Sequence, residues 1–258
     1  SPGVLLCSGY IAGGSIMGVL AAFLNFREDW VQRLNLAPWL DKPDVLGAIY
    51  RVRRQGSTAV TDPRGRTLPW NAMPPVGLAR LLNDPRPAVQ ERALRQFAKI
   101  GDAAVPALVD VAGRSPSVEA RRNAVWALTR IEGARAREAV RAALGDRDDG
   151  VRGAAIHSAG LWRDRAAVTP LEAAMKSDRP ALKRSAAEAL GRVGDAGAVP
   201  GLLEAAASSA SDRVLEHSLT YALIEIGDAS STAAGLQATA SGLRRAALIA
   251  LDQIDGGR

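Results

Sequence analysis

Few side chains in this 258-residue sequence are suited to covalent or metal chemistry. The two histidines, His157 and His217, fall in segments that a helical periodicity separates by two stacking steps of about 8–10 Å each, too far apart for one metal ion. The single cysteine, Cys7, lies in an apolar run with no basic neighbour that would favour its thiolate. We therefore expect Cys7 to pack as a small apolar side chain.

Two short motifs resemble ion- or phosphate-binding loops, but each lacks residues that such a loop requires. Asp148 and Asp149 precede Gly150, but no series of further oxygen ligands follows, so the pair is predicted to cap a helix and not to hold calcium. The stretch GGSIMG at 13–18 lacks the lysine and the strand–helix context of a phosphate loop. The sequence predicts no enzyme, no catalytic residue, no metal site and no cofactor.

Basic side chains that recur at a fixed interval are the remaining candidates for a site. Arg121, Arg152 and Lys183 are spaced by 31 residues, and Arg122 and Arg184 directly follow two of them. On helices stacked about 8–10 Å apart, these five residues are predicted to form a basic column along one wall. The column is the candidate partner-binding site.

The sequence leaves two interpretations of the basic column open. In the first, it binds an acidic segment of a protein partner on a concave wall. In the second, it holds neighbouring units together by pairing with loop acids, namely Asp146, Asp148, Asp178 and Asp212. A nucleic-acid partner is disfavoured because the net charge is only +6, aromatic residues make up 4% of the chain, and Trp126 is expected in the core.

The sequence of the helices that would position these side chains repeats along the chain. Six apolar anchors recur at intervals of 28 to 33 residues: Ile100, Ile131, Trp162, Val193, Ile226 and Ile254. Apolar or small residues stand 3, 7 and 11 positions before each anchor, which is one face of an α-helix. A shorter apolar helix precedes each stripe, the last predicted at Thr232–Ala240. A helix pair repeated every 31 residues is typical of a solenoid.

Two of these units, DPRPAVQERALRQFAKIGDAAVPAL and ALKRSAAEALGRVGDAGAVPGL, resemble HEAT repeats of the phycobilisome-lyase type. The resemblance covers residues 74–256 and implies an all-α fold, a right-handed α-solenoid of about six helix pairs. The third unit departs from the pattern, with Trp162 and Arg163 where Ile or Val and Gly are usual. The resemblance implies a non-enzymatic scaffold for protein–protein interaction.

The chain before the array differs in composition and lacks the repeat. Residues 4–26 carry no charge, a length that predicts a membrane-spanning helix, although a glycine-rich buried helix is the alternative. We therefore expect a hydrophobic helix at 1–26, a linker with a short helix and a short extended segment at 27–73, and the array at 74–258. Asp62 to Gly65 is predicted to form a turn in this linker.

Two weaker resemblances set the alternatives for function. Residues 43–54 resemble the propeller end of glucose/sorbosone-dehydrogenase-like proteins that join a propeller, HEAT repeats and cytochrome c, and residues 4–26 resemble an oligopeptide-transporter span. They imply a spacer within an oxidoreductase or a transporter fusion. A nucleic-acid-binding helical repeat is the second alternative. The chain is expected to be part of a larger membrane-associated or exported bacterial protein.

Overall fold

A computed structural model describes residues 60–177, 179–207 and 212–254, and the regular elements in those ranges are all helical. The predicted helix at 1–26 and residues 27–59 of the predicted linker lie outside this part. The α-helices are α1 Pro75–Arg80, α2 Pro87–Ile100, α3 Val105–Arg114, α4 Val118–Leu128, α5 Ala134–Ala143, α6 Asp149–Leu161, α7 Val168–Met175, α8 Pro180–Val193, α9 Val199–Ala207, α10 Arg213–Ile226, α11 Ala229–Ala233 and α12 Ser241–Ile254.

These helices form six pairs, in which an odd-numbered first helix is followed by an even-numbered second helix. Each pair packs on the next one, so the fold is the predicted α-solenoid. The helix starts follow from local sequence. The Asp148 carboxylate accepts hydrogen bonds from the backbone N–H groups of Gly150 and Val151, as predicted for a cap, and Pro87 and Pro180 begin α2 and α8.

The predicted stripe is the core. All six residues seven positions before the anchors are fully buried: Ala93, Ala124, Ala155, Ala186, Leu219 and Ala247. The residues at the other stripe positions of units one to five are also buried, except for the half-buried anchors Ile100, Trp162 and Ile226. In the sixth unit, Leu243, Leu251 and Ile254 are only half-buried, because no described helix packs on the far side of α12.

Glycines end several second helices where the chain turns into the next unit. Gly194 and Gly227 have left-handed backbone angles with φ of 72°, which a residue without a side chain adopts at little cost. The third unit has Arg163 at this position, and Arg163 takes a φ of 51°. The departure seen in the sequence therefore leaves the turn in place at a steric cost of about 1–2 kcal/mol.

Consecutive second helices in the middle of the array approach each other very closely. A Cβ atom added to Gly160 would lie 3.0 Å from the Cα of Ala189, and one added to Gly191 would lie 2.8 Å from the Cα of Ala222. Consecutive first helices are instead separated by open grooves, found at α1/α3, α3/α5, α5/α7 and α7/α9. The second helices therefore form the close-packed inner wall of the solenoid.

The compact unit begins at Val60, so the last part of the predicted linker packs against the array. The predicted turn is confirmed: the Gly65 N–H donates to the Asp62 carbonyl over 2.9 Å. Backbone and side-chain donors of Thr67 and the Arg66 N–H lower the pKa of Asp62 to about 2. Trp70 is buried, and the Arg92 guanidinium lies 4.4 Å from its ring centroid.

The first helix of the sixth unit differs from its prediction. We expected Thr232–Ala240, whereas the structure has α11 at Ala229–Ala233 followed by a 3-10 turn at Ala234–Gln237. The Asp228 carboxylate accepts hydrogen bonds from Ser230 and Ser231 and so starts the helix earlier. Among the described helices, none is long and apolar enough to cross a membrane.

Candidate protein-binding surface

The structure divides the basic column into buried and exposed members. The binding interpretation of the basic column requires Arg121 to be exposed, but its side chain is only 2% exposed. Its Nε and Nη2 donate to the two carboxylate oxygens of Asp146 over 2.8 and 3.0 Å, and its Nη1 donates to the Ser115 carbonyl over 2.9 Å. Asp146 belongs to the loop of the next unit, so Arg121 joins two units and is not available at the surface.

The electrostatics of this pair favour its charged form. Burial opposes ionisation of Asp146, but the Arg121 hydrogen bonds, the Asp148 backbone N–H and the nearby positive charge outweigh burial and lower the pKa of its carboxyl group. Hydrogen bonding to Asp146 raises the pKa of Arg121 in turn. The ion pair is therefore a structural tie between the second and third units.

The other members of the basic column differ in their surroundings. Arg122 pairs within α4 with Glu119 over 3.3 Å, and Arg184 pairs with Asp212 of the following unit over 3.3 Å. Arg152 pairs with Asp149 in its own helix. Lys183 has no carboxylate partner among the described residues.

These placements separate the five residues onto two surfaces. Arg121, Arg152 and Lys183 line successive grooves between the units, at the ends of the first helices. Arg122 and Arg184 lie on the inner wall of second helices. The structure therefore does not bring the five together as one column, because positions one residue apart on a helix point about 100° apart.

The inner wall carries exposed aromatic and apolar side chains that sequence reasoning did not select. Leu161 is 59% exposed and Tyr221 is 49% exposed. Trp126 was expected in the core, but it is only half-buried and meets the exposed His157 edge-on, with ring centroids 5.5 Å apart. His217 stacks on Tyr221 at 6.3 Å. We call these five residues the aromatic wall.

A sequence signal for the aromatic wall exists. Trp126, His157 and Tyr221 each stand five positions before an anchor, with Glu188 at the same position in the unit between them. Arginines flank these side chains: Arg130 and Arg192 have no carboxylate partner within the described residues, and the Arg130 Nη1 donates to the Trp126 carbonyl over 3.0 Å. Apolar, aromatic and guanidinium groups on one exposed face are the typical composition of protein-binding surfaces.

The groove between α5 and α7 is the most basic of the four. Arg141, Arg152 and Lys176 line it, together with the apolar side chains of Leu144, Ile156 and Leu182, and no acidic residue does so among those the structure describes. Among the described residues, no group of three or more histidine, cysteine or acidic side chains is placed to hold a metal ion.

The sequence matches the family model of HEAT repeats over residues 75–159 and 140–224, more than half of the chain. This chain belongs to the HEAT-repeat family. The resemblance seen in the sequence is thereby confirmed, and a HEAT scaffold fits a role in protein interaction. A comparison of this HEAT protein with curated protein sequences gave no match.

Solved structures similar to the HEAT array include natural and designed proteins. The CpcE–CpcF complex of phycocyanin lyase from Nostoc sp. is 21% identical, with 81% of this chain and 82% of that chain covered and a TM-score of 0.46. Human deoxyhypusine hydroxylase is 23% identical, with 58% and 60% covered and a TM-score of 0.42. A designed armadillo repeat protein in complex with the peptide (KR)4 is 18% identical, with 69% and 98% covered and a TM-score of 0.44.

Proposed function

We propose that this HEAT array is a non-enzymatic scaffold that binds a protein partner along its aromatic wall. The observation that carries the proposal is the exposure of Leu161 and Tyr221 on helices whose neighbours are packed without gaps. Burying such side chains against a partner contributes about 1.5–3 kcal/mol each, before the cost of association. Leu248 and Ile249 extend the exposed apolar surface onto the last second helix.

We also propose that the partner carries an acidic segment. Arg130 and Arg192 border the aromatic wall with no carboxylate partner within the described residues. Arg122 and Arg184 keep only exposed or half-exposed pairs, which contribute little to stability and can exchange for a partner's carboxylate. Binding is therefore expected to weaken as salt concentration rises.

A double substitution of Leu161 and Tyr221 by alanine tests the aromatic wall. Because both side chains are about half exposed, we expect the melting temperature to remain within about 2 °C of the native value. Affinity for the partner, once that protein is recovered with the native chain and purified, is expected to fall by about 30-fold or more, the effect of losing one binding hot spot. Isothermal titration calorimetry measures both affinities.

Val60→Ala is the matched control, since Val60 is a similarly exposed apolar residue in the segment before α1, away from the wall and from the grooves. It should leave the affinity unchanged. Equal weakening by the control, or full affinity of the double variant, would contradict binding at the wall. The second of these results would favour the alternative in which the array acts as a spacer between other domains.

We further propose that residues 4–26 attach the array to a membrane, in a membrane-associated or exported protein. Their uncharged length supports this proposal. In a flotation assay with phospholipid vesicles, the whole chain is expected to rise with the vesicles and to stay bound in about 1 M salt, where surface charge is screened. Ile16→Lys should reduce flotation strongly, whereas a native chain that stays at the bottom of the gradient would contradict attachment.

A further inference from the structure

The groove between α5 and α7 combines an apolar floor with three lining cations, two of which pair with aspartates that lie outside the groove lining. Ile156 and Leu182 are buried and form part of the floor, and Arg141, Arg152 and Lys176 stand around it. The groove has a volume of about 610 Å³, enough for several amino-acid side chains. It differs from the neighbouring groove between α7 and α9, in which Glu172 and Glu204 balance Lys176 and Lys183.

The hydrogen-bonding capacity of these cations is only partly used. Arg141 Nη1 donates to Asp164 over 2.6 Å, and Arg152 Nη2 donates to Asp149, which leaves other donors of both guanidinium groups free within the described residues. The Nε of Arg152 is buried and has no hydrogen-bond partner in the part of the chain that the structure describes. A buried donor of this kind is costly to leave unpaired, so the conformation of the Arg152 side chain seen here is not fully satisfied by the described residues.

The shape of the groove favours an extended chain over a small compact ligand. It shares Ala142 and Gly145 with the groove on one side and Lys176 with the groove on the other, so the three form one trough across successive units. An occupant can therefore pass from unit to unit. Within residues 60–177, 179–207 and 212–254, no aromatic side chain lines the groove for base stacking, and its floor is aliphatic, which disfavours a nucleic acid.

We propose that this groove binds an acidic peptide segment of a protein partner. A carboxylate of the segment pairs with Arg152 and Lys176, and an apolar side chain beside it packs on Ile156 and Leu182. The inference rests on the proposed function only in that the partner is a protein with an acidic segment. It adds a second acidic segment of the partner on the groove side of the array, distinct from the one beside the inner-wall arginines, so that the aromatic wall and the trough contact different parts of the partner.

The test measures binding of a fluorescein-labelled peptide of alternating glutamate and leucine by fluorescence anisotropy. A length of about twelve residues suffices, since an extended chain spans about 3.3 Å per residue and three stacked units span about 27 Å. The whole chain should bind this peptide and should bind the same peptide with glutamine in place of glutamate at least tenfold more weakly. Salt should weaken the first interaction much more than the second.

Two groove variants and one wall variant locate the site. Arg152→Gln combined with Lys176→Gln should weaken the glutamate peptide by tenfold or more, because each charged hydrogen bond contributes about one order of magnitude. Ala173→Glu, a change at an exposed groove position that disturbs no ion pair, should do the same. Arg130→Gln combined with Arg192→Gln changes two cations of the inner wall instead and should weaken this peptide less than either groove variant does.

Each outcome separates the two proposals. Weakening by the wall variant alone would overturn the groove assignment while leaving an acidic partner on the aromatic wall. Equal affinity for the glutamate and glutamine peptides, or no binding of either by the native chain, would overturn the groove assignment as well. The double variant Leu161→Ala with Tyr221→Ala tests the aromatic wall separately, because it is measured with the natural partner and not with the peptide. A failure of the wall proposal can therefore be distinguished from a failure of the groove proposal. Melting curves of Ala173→Glu confirm that the folded array is being measured.

Discussion

Substitution of Arg121 by methionine is expected to lower the free energy of unfolding by about 3 kcal/mol. The change removes the guanidinium group and leaves the Asp146 carboxylate buried without its partner, which typically costs 3–5 kcal/mol. We expect the lower end of this range because the pair lines a groove open to water. At 2–4 °C per kcal/mol, the melting temperature should fall by about 6–12 °C in differential scanning calorimetry.

The double variant Arg121→Met with Asp146→Leu is the informative control. Removal of both charges leaves no unpaired buried ion, so the double variant should be more stable than Arg121→Met alone. Arg122→Met, one position away on the exposed wall, should change the melting temperature by no more than about 2 °C. If Arg121→Met were as stable as the native chain, the pair would not be a structural tie.

The same ion pair makes stability depend on pH in a defined direction. Folding lowers the pKa of Asp146, so its stabilising contribution is fully present above the pKa of an unfolded aspartate, about 3.9. The contribution is lost as the pH falls through the lower pKa of the folded state. The stability gap between the native chain and Arg121→Met should therefore narrow at acid pH.

Alanine substitutions at two helical glycines are expected to act in opposite directions. At Gly191, the new Cβ atom would lie 2.8 Å from the Ala222 Cα, so α8 and α10 must move apart, at a cost of about 1–3 kcal/mol. At Gly153, the nearest atom would be Leu182 Cδ2 at 3.9 Å, an ordinary contact. There the higher helix propensity of alanine should stabilise the array by about 1 kcal/mol.

Urea denaturation followed by circular dichroism measures both effects from the shift in transition midpoint at unchanged slope. A larger loss is expected for Gly191→Val, which adds two more methyl groups to the same contact. Stabilisation by Gly191→Ala would mean that the second helices are not in close contact. In that case the inner wall would not be the tightly packed side of the solenoid.

The repeat and its core could be predicted from the sequence because apolar residues recur at helical spacing within each unit. The buried stripe through Ala124, Ala155 and Ala186 follows from helical spacing alone, and the structure buries all three. The cap at Asp148 is equally local. The prediction placed the start of α11 at Thr232, whereas the Asp228 cap, with its hydrogen bonds to Ser230 and Ser231, begins the helix at Ala229.

The candidate site was harder to predict from the sequence than the fold, because the site depends on distances between units. Only the interpretation in which neighbouring units pair placed Arg121 beside Asp146, and the packing of the next loop decides that Arg121 is buried. The α5–α7 groove cannot be predicted at all from periodicity, since its width reflects the angle between two units. The aromatic wall could have been predicted, because Trp126 and Tyr221 occupy the same position of their repeats, but only Trp126 was considered, and it was expected in the core.

The asymmetry between the two sides of the array has a mechanical consequence. On the inner side, helices such as α8 and α10 are in backbone contact, and close-packed interiors compress very little. On the outer side, the first helices are separated by grooves that can widen or narrow without such resistance. The solenoid therefore bends most easily about an axis parallel to the second helices. In such bending the distances between first helices change, while the distances between second helices stay nearly constant.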